Sequence, residues 1–101
     1  MIYRVRTLTL RPEQRIEYRE VLLRAAAYVN EQYPTIHVEI WENVAGRQQQ
    51  IHMVTRCDSL AALENYEAQR KSDTGWLALV EEVNALQATI EAVDQIYRVV
   101  A

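Results

Sequence analysis

Cysteine, glycine and proline are scarce in this sequence, and each shortage excludes a class of protein. The single cysteine, Cys57, excludes a disulfide framework, a CxxC motif and a thiolate metal cluster. Two glycines and two prolines leave little material for loops or linkers, and half of the 101 residues are hydrophobic, which excludes a disordered chain. We therefore expect residues 1–101 to form a single domain with one modest core.

Basic clusters and long apolar runs are also missing. The net charge is −3, and the ten arginines and one lysine form no basic run, which argues against a nucleic-acid partner. No apolar stretch approaches the ~20 residues that a membrane span needs. The first ten residues alternate in polarity instead of forming the apolar core of a signal peptide. These features predict a cytoplasmic protein without a membrane partner.

The pattern of apolar residues predicts strands and helices in a definite order. Residues 2–10 alternate and have high β-propensity, whereas residues 13–32 carry an apolar stripe at helical spacing, which Pro34 ends. Strands are predicted over residues 36–44 and 48–57, helices over 60–70 and from Asp73 or Thr74 to about residue 87, and a last strand within 89–100. This order predicts an α+β, ferredoxin-like βαββαβ fold, with the helices on one face of a four-stranded antiparallel sheet.

The two middle strands define a hairpin whose register can be counted from the sequence. A two-residue turn at Gly46 and Arg47 would place Trp41 opposite His52, Glu39 opposite Val54 and His37 opposite Arg56. The other face of the hairpin is then aliphatic and belongs under the helices. The first face combines polar and aromatic side chains, and we assign to it the first strand's Leu8 and Leu10 together with Arg4 and Arg6.

Such a mixed face leaves more apolar surface than monomers usually expose. The helical segments can cover only one side of the sheet, so a second copy of the chain is the simplest cover for the other side. We predict a homodimer, a dimeric α+β barrel, in which two sheets meet face to face around a partly polar interior. The residues predicted to line a ligand pocket are Arg6, His37, Glu39, Trp41, His52, Arg56 and Tyr66.

The roles of these residues stay open. His37 and His52 could act as general bases or could be interface histidines bonded to Glu39 or to the backbone. The same histidines with Glu39 are acceptable metal ligands, but no HxH or HxxxH spacing is present, so no metal is expected. Trp41 with two arginines could clamp a flat anionic ligand, or all three could serve packing and ion pairing. No catalytic residue is identified.

Two stretches carry a family resemblance. The segment "YRVRTLTLRPEQRIEY" resembles the opening of NIPSNAP-type domains, where a strand runs into a helix after a proline. The segment "IHMVTRCDSLAALENYEAQRKSDTGW" resembles the same family's third strand, the turn that follows it, and the next helix with its break. The resemblance implies the dimeric α+β barrel superfamily, which includes antibiotic-biosynthesis monooxygenases, and with it a face-to-face dimer and a cavity for a small ligand.

Within that superfamily, haem degradation is not expected. The first strand has no Asn, Tyr66 occupies roughly the position of the haem-degrading enzymes' Trp, and no His follows His52. The main prediction is a homodimer that binds a small aromatic ligand without a cofactor, in a cavity on the sheet face opposite the helices. The alternatives are a cofactor-independent monooxygenase or isomerase acting on an aromatic or quinone-type substrate, and a non-catalytic structural or interaction module.

Overall fold

A four-stranded sheet with helices on one side forms the fold. The computed structural model describes all 101 residues. The elements are β1 (Ile2–Leu10), a 3-10 turn (Pro12–Gln14), α1 (Arg15–Gln32), β2 (His37–Glu42), β3 (Gln50–Cys57), α2 (Leu60–Arg70), α3 (Thr74–Leu86) and β4 (Thr89–Arg98). All strand pairs are antiparallel, in the order β2-β3-β1-β4. The ferredoxin-like α+β fold predicted from the sequence is confirmed.

The hairpin of β2 and β3 has the predicted register but a longer turn. Trp41 pairs with His52, and the other predicted pairs also hold. The expected two-residue turn was wrong, because the strands end at Glu42 and begin again at Gln50. Gly46 has a φ of +89°, and the Asn43 side-chain amide donates to the Arg47 carbonyl at 2.6 Å. The alternation of the strands, and not a tight turn, therefore determines the register.

The assignment of β1 to a face is corrected by its pairing with β3. Leu8 lies opposite Ile51, which is fully buried, and Arg6 lies opposite Met53. The even-numbered residues of β1, which include Leu10 and Arg4 as well, therefore point toward the helices and not toward the open face. The strand has apolar residues of both parities, so its own sequence does not show which set is inside.

The core lies between the sheet and helices α1 and α2. Four of the five residues of the stripe predicted for the first helix, Tyr18, Leu22, Ala25 and Val29, are buried, and the fifth, Tyr33, is half-buried just after the helix ends. In contrast, α3 has no buried residue, and every residue of β4 is exposed. The helical layer thus covers β2, β3 and β1 but leaves β4 bare on both faces. None of the helices combines the length and apolar character needed to cross a bilayer.

The Asp73 carboxylate attaches α3 to α1. It accepts a hydrogen bond from the Trp76 backbone N–H at 3.1 Å, which caps α3. It also accepts hydrogen bonds from the hydroxyls of Tyr28 and Tyr33, each at 2.5 Å. These two tyrosine bonds lower the pKa of Asp73. Burial and the bond to Asp73 raise the pKa of Tyr33 to about 12.

Replacing Asp73 with alanine should lower the free energy of unfolding by about 2 kcal/mol, since a helix cap and two charge-assisted hydrogen bonds are lost together. Because the folded pKa of Asp73 lies below its unfolded value of about 3.9, its stabilisation is present above that pH and is lost as the pH falls through the folded pKa. Urea unfolding of both proteins from acid to neutral pH checks this. The Asp73→Asn variant, which keeps a cap, should fall between them; a difference independent of pH would contradict the account.

Candidate ligand-binding cleft

A cavity lies on the helix side of the sheet, between α1, α3, β1 and β4. It is a cleft of about 470 Å³ in which 10 of the 14 lining residues are hydrophobic. The α3 residues Trp76, Val80 and Val83 form one wall. They belong to the apolar stripe of this helix, which a sequence pattern marks only as inward-facing. The stripe packs only in part against the core, and the rest of it borders the open space of the cleft.

The polar groups at the cleft are dominated by one ion pair. Arg6 donates to both carboxylate oxygens of Asp94, through Nε at 2.7 Å and through Nη2 at 2.9 Å. The two residues face each other on neighbouring strands β1 and β4. The hydrogen bond from Arg6 lowers the pKa of Asp94, despite the opposing effect of burial. Asp94 is therefore ionised and engaged at neutral pH, and it is a poor general base for a ligand in the cleft.

Five of the seven residues predicted to line a pocket lie on the open face: His37, Glu39, Trp41, His52 and Arg56. Glu39 joins two of them, because its carboxylate contacts His37 Nε2 and accepts from Trp41 Nε1, both at 2.9 Å. These bonds, from Trp41 first and then from His37, lower the pKa of Glu39. This trio lies on the edge strand β2, in contact with solvent.

His52 is held apart from that trio. Its Nε2 lies 2.6 Å from the Asn43 side-chain oxygen and its Nδ1 lies 2.9 Å from the Thr7 hydroxyl. Since the amide oxygen can only accept, Nε2 carries the proton and Nδ1 accepts from Thr7. Both ring nitrogens are thus engaged. No three His, Cys, Asp or Glu side chains are close enough together to hold a metal ion.

The other two predicted residues, Arg6 and Tyr66, lie on the helix side. Tyr66 is buried in the core and packs edge-on against the Tyr33 ring, with centroids 5.1 Å apart. Burial raises the pKa of its hydroxyl. The predicted set is therefore divided between two faces of the sheet and does not form a single pocket. Whether any of these residues contacts a ligand remains a prediction.

Comparisons with known proteins agree on the fold. A family model described as NIPSNAP matches residues 3–101. No curated protein is significantly similar to the chain in sequence. An uncharacterized NIPSNAP domain protein from Burkholderia xenovorans is 13% identical, with a TM-score of 0.83 over 100% of this chain and 96% of that one.

Two further solved structures share the architecture. A protein from Agrobacterium tumefaciens is 17% identical, with a TM-score of 0.80 over 97% of this chain and 92% of that one. The cofactor-independent oxygenase SnoaB from Streptomyces nogalater is 14% identical, with a TM-score of 0.73 over 99% of this chain and 93% of that one. At these identities the structural matches establish a shared fold and nothing about shared chemistry.

Proposed function

Because the chain belongs to the NIPSNAP family, we propose that it acts as a homodimer that binds a small, largely apolar molecule in the cleft between α1, α3 and the sheet. The cleft itself carries this proposal. Its volume of about 470 Å³ is within the range of ligand pockets, and its lining is mostly hydrophobic with a few polar groups. A packed core would have filled this space with side chains.

The exposed apolar surface supports the dimer. On the open face, Trp41, Val93 and Tyr97 are all exposed, and on the helix-facing side of β4 Ile96 is exposed as well. An edge strand that is apolar on both faces invites association unless something covers it. A second copy of the chain, packed against the open face, would shelter the first three of these side chains.

The ligand position proposed here differs from the sequence-based expectation, which no observation tests. That expectation put the cavity on the face opposite the helices, and only His37 and Arg56 of the predicted residues line a second, smaller hollow of about 330 Å³. The cleft on the helix side is complete within one chain. A cavity enclosed between two open faces stays a prediction, because it would need the partner's surface to close it.

The oxygenase alternative lacks a supporting group in the cleft. A cofactor-independent oxygenase has to remove a proton from its substrate before oxygen reacts, and a base must lie within hydrogen-bond reach of that proton. No histidine lines the cleft, and Asp94 is engaged by Arg6. Oxygen uptake with an anthrone or a hydroquinone in metal-free buffer tests the alternative. Uptake above the protein-free rate would favour the enzyme, and binding without uptake supports the proposal.

Replacing Val83 with tryptophan should fill the cleft and weaken binding of an apolar fluorescent dye at least tenfold. Val83 lies on the α3 wall, so the added indole would occupy the space that the dye needs. Fluorescence titration of wild type and variant gives the two dissociation constants. The control is Leu77→Trp, which makes a similar change on the same helix at an exposed position outside the cleft. Equal dye affinity in all three proteins would place the binding site elsewhere.

A further inference from the structure

Two arginines are buried on the helix side of the sheet, and one of them has no anionic partner. Arg4 is 4% exposed and Arg70 is 8% exposed. Arg4 donates to the Glu67 carboxylate. Arg70 makes no side-chain hydrogen bond and no ion pair. Its guanidinium lies between two aromatic rings, 4.3 Å from the centroid of Tyr66 and 4.4 Å from that of Trp76.

Donors in this cluster are buried without acceptors. The Nε atoms of Arg4 and Arg70 and the hydroxyl of Tyr66 are all removed from solvent and have no hydrogen-bond partner. Each such group costs free energy in the unliganded protein. Burial, and after it the neighbouring charges of Arg4 and Arg6, lower the pKa of Arg70 against the opposing effects of Tyr66 and Glu67. Folding has thus placed a cation where the one nearby carboxylate, Glu67, is already bonded to Arg4.

The local charge count shows what is missing. Three cations, Arg4, Arg6 and Arg70, are accompanied by two carboxylates, Glu67 and Asp94, which engage Arg4 and Arg6. One positive charge is left over, and it belongs to Arg70. A buried charge is normally paired, because an uncompensated one is strongly destabilising. The aromatic rings stabilise the guanidinium in part but leave its buried Nε–H without an acceptor.

The cluster adjoins the cleft. Trp76 lines the cleft and also stacks on the Arg70 guanidinium, and Arg6 lines the cleft too. The Trp76 side chain is only partly buried, and Arg70 itself does not line the cleft, so a ligand group could reach Arg70 only if the Trp76 ring moved aside. A ligand whose apolar body lies against α3 could then place one acidic group beside the unpaired guanidinium.

We propose that Arg70, together with Arg4 and the Tyr66 hydroxyl, forms an anion-binding subsite at the inner end of the cleft, behind Trp76. The ligand class is an apolar molecule that carries a single carboxylate or a similarly small oxyanion. This inference rests on the proposed ligand-binding function and specifies its ligand. The oxyanion would accept from the buried donors and neutralise the one excess charge.

A matched pair of probes tests the subsite: 2-naphthoate, which is anionic, and 2-naphthamide, which has nearly the same shape but no charge. We expect calorimetric titration of the wild type to give at least tenfold tighter binding of the acid. Arg70→Met should abolish that preference, whereas Arg47→Met, in the exposed hairpin loop, should retain it. Tyr66→Phe removes only an unpartnered hydroxyl and should reduce the affinity for the acid a few-fold. This second variant tests the subsite even if Arg70→Met does not fold.

The outcomes separate this inference from the proposed function. If the amide binds, and Val83→Trp prevents its binding, but the acid binds no better, the cleft function stands and the subsite is wrong. If neither probe binds, both are wrong. The melting temperature of the Arg70→Met variant without ligand gives an independent readout. Loss of an uncompensated buried charge should leave this temperature equal to that of the wild type or raise it. If Arg70→Met melts at a lower temperature than the wild type but still binds the acid more tightly than the amide, Arg70 serves packing only.

Discussion

Replacing Val93 with aspartate should convert the proposed homodimer into a folded monomer at micromolar concentration. Val93 lies on the open face of β4, opposite Thr7 and in the cross-sheet row that continues through His52 to Trp41. It is 44% exposed in the single chain, so the folded subunit can accommodate a polar replacement there. In a face-to-face dimer the same position is buried, and an unpaired carboxylate at a buried interface costs several kcal/mol. Since 1.4 kcal/mol is tenfold in affinity, the dissociation constant should rise at least a hundredfold.

Sedimentation analysis of wild type and variant over a range of concentrations measures this change. The matched control is Val44→Asp, which makes the same replacement in the hairpin loop, where the side chain is 98% exposed. That control should remain dimeric. A wild-type protein that sediments as a stable monomer would contradict the dimer proposal. A dimeric Val93→Asp variant would show that the interface does not include the open face. Circular dichroism of each variant shows that the subunit is still folded.

Replacing Ile51 with alanine should cost about 3–4 kcal/mol of unfolding free energy, the usual cost of a cavity in a well-packed core. Ile51 is fully buried near the start of the inner strand β3, and it lies between Leu8 on β1 and Glu42 on β2. Only 22 of the 101 residues are buried, so the core offers few other contacts to compensate. Such a loss is a large share of the stability of a domain this size, typically about 5–15 kcal/mol.

The control for this change is Ile16→Ala, which removes the same atoms from the first turn of α1, where the side chain is 74% exposed. It should alter the unfolding free energy by no more than about 0.5 kcal/mol. Urea denaturation at one fixed protein concentration is needed, because the apparent stability of a dimer rises with concentration. Equal losses in the two variants would mean that the core does not centre on β3.

The order of elements could be predicted because each element carries its own periodic signal. The alternation of β1 predicted bounds for this strand that agree with the structure. The apolar stripe of α1, with residues three or four positions apart, corresponds to the buried face of the helix. The register of β2 against β3 was also predictable, because a slip by one residue would have put Trp41 and Glu39 in the core. These signals are local, or they compare two strands that are adjacent in the chain.

The face of β1 could not be predicted from local signals. Val5 and Leu8 lie on opposite sides of this strand, and both are compatible with burial. Only hydrogen bonding to β3, more than forty residues away, decides that Leu8 points toward the helices. The misplacement of Arg6 followed from this ambiguity, and with it the expected grouping of Arg6 with His37 and Trp41.

The cleft and the buried arginine cluster could not be predicted from the periodicity of the sequence either. Trp76 and Val83 show the periodicity of an inward helix face, but periodicity does not report how far a helix stands from a sheet. Arg70 is the last residue of a helix, a position where a solvated arginine is ordinary. Nothing in its neighbours along the chain predicts that two aromatic rings enclose it.

By itself, then, the sequence determined which segments are strands and helices, their ferredoxin-like order, and the pairing within the β2–β3 hairpin. The tertiary structure alone decided which side of β1 is inside, that α3 stands off the sheet to leave a cleft, and that Arg70 is buried without a counter-ion. The reason is the range of the interactions. Periodicity records which face of an element avoids water, whereas a cavity or an unpaired charge depends on the distances between elements that are remote in the chain.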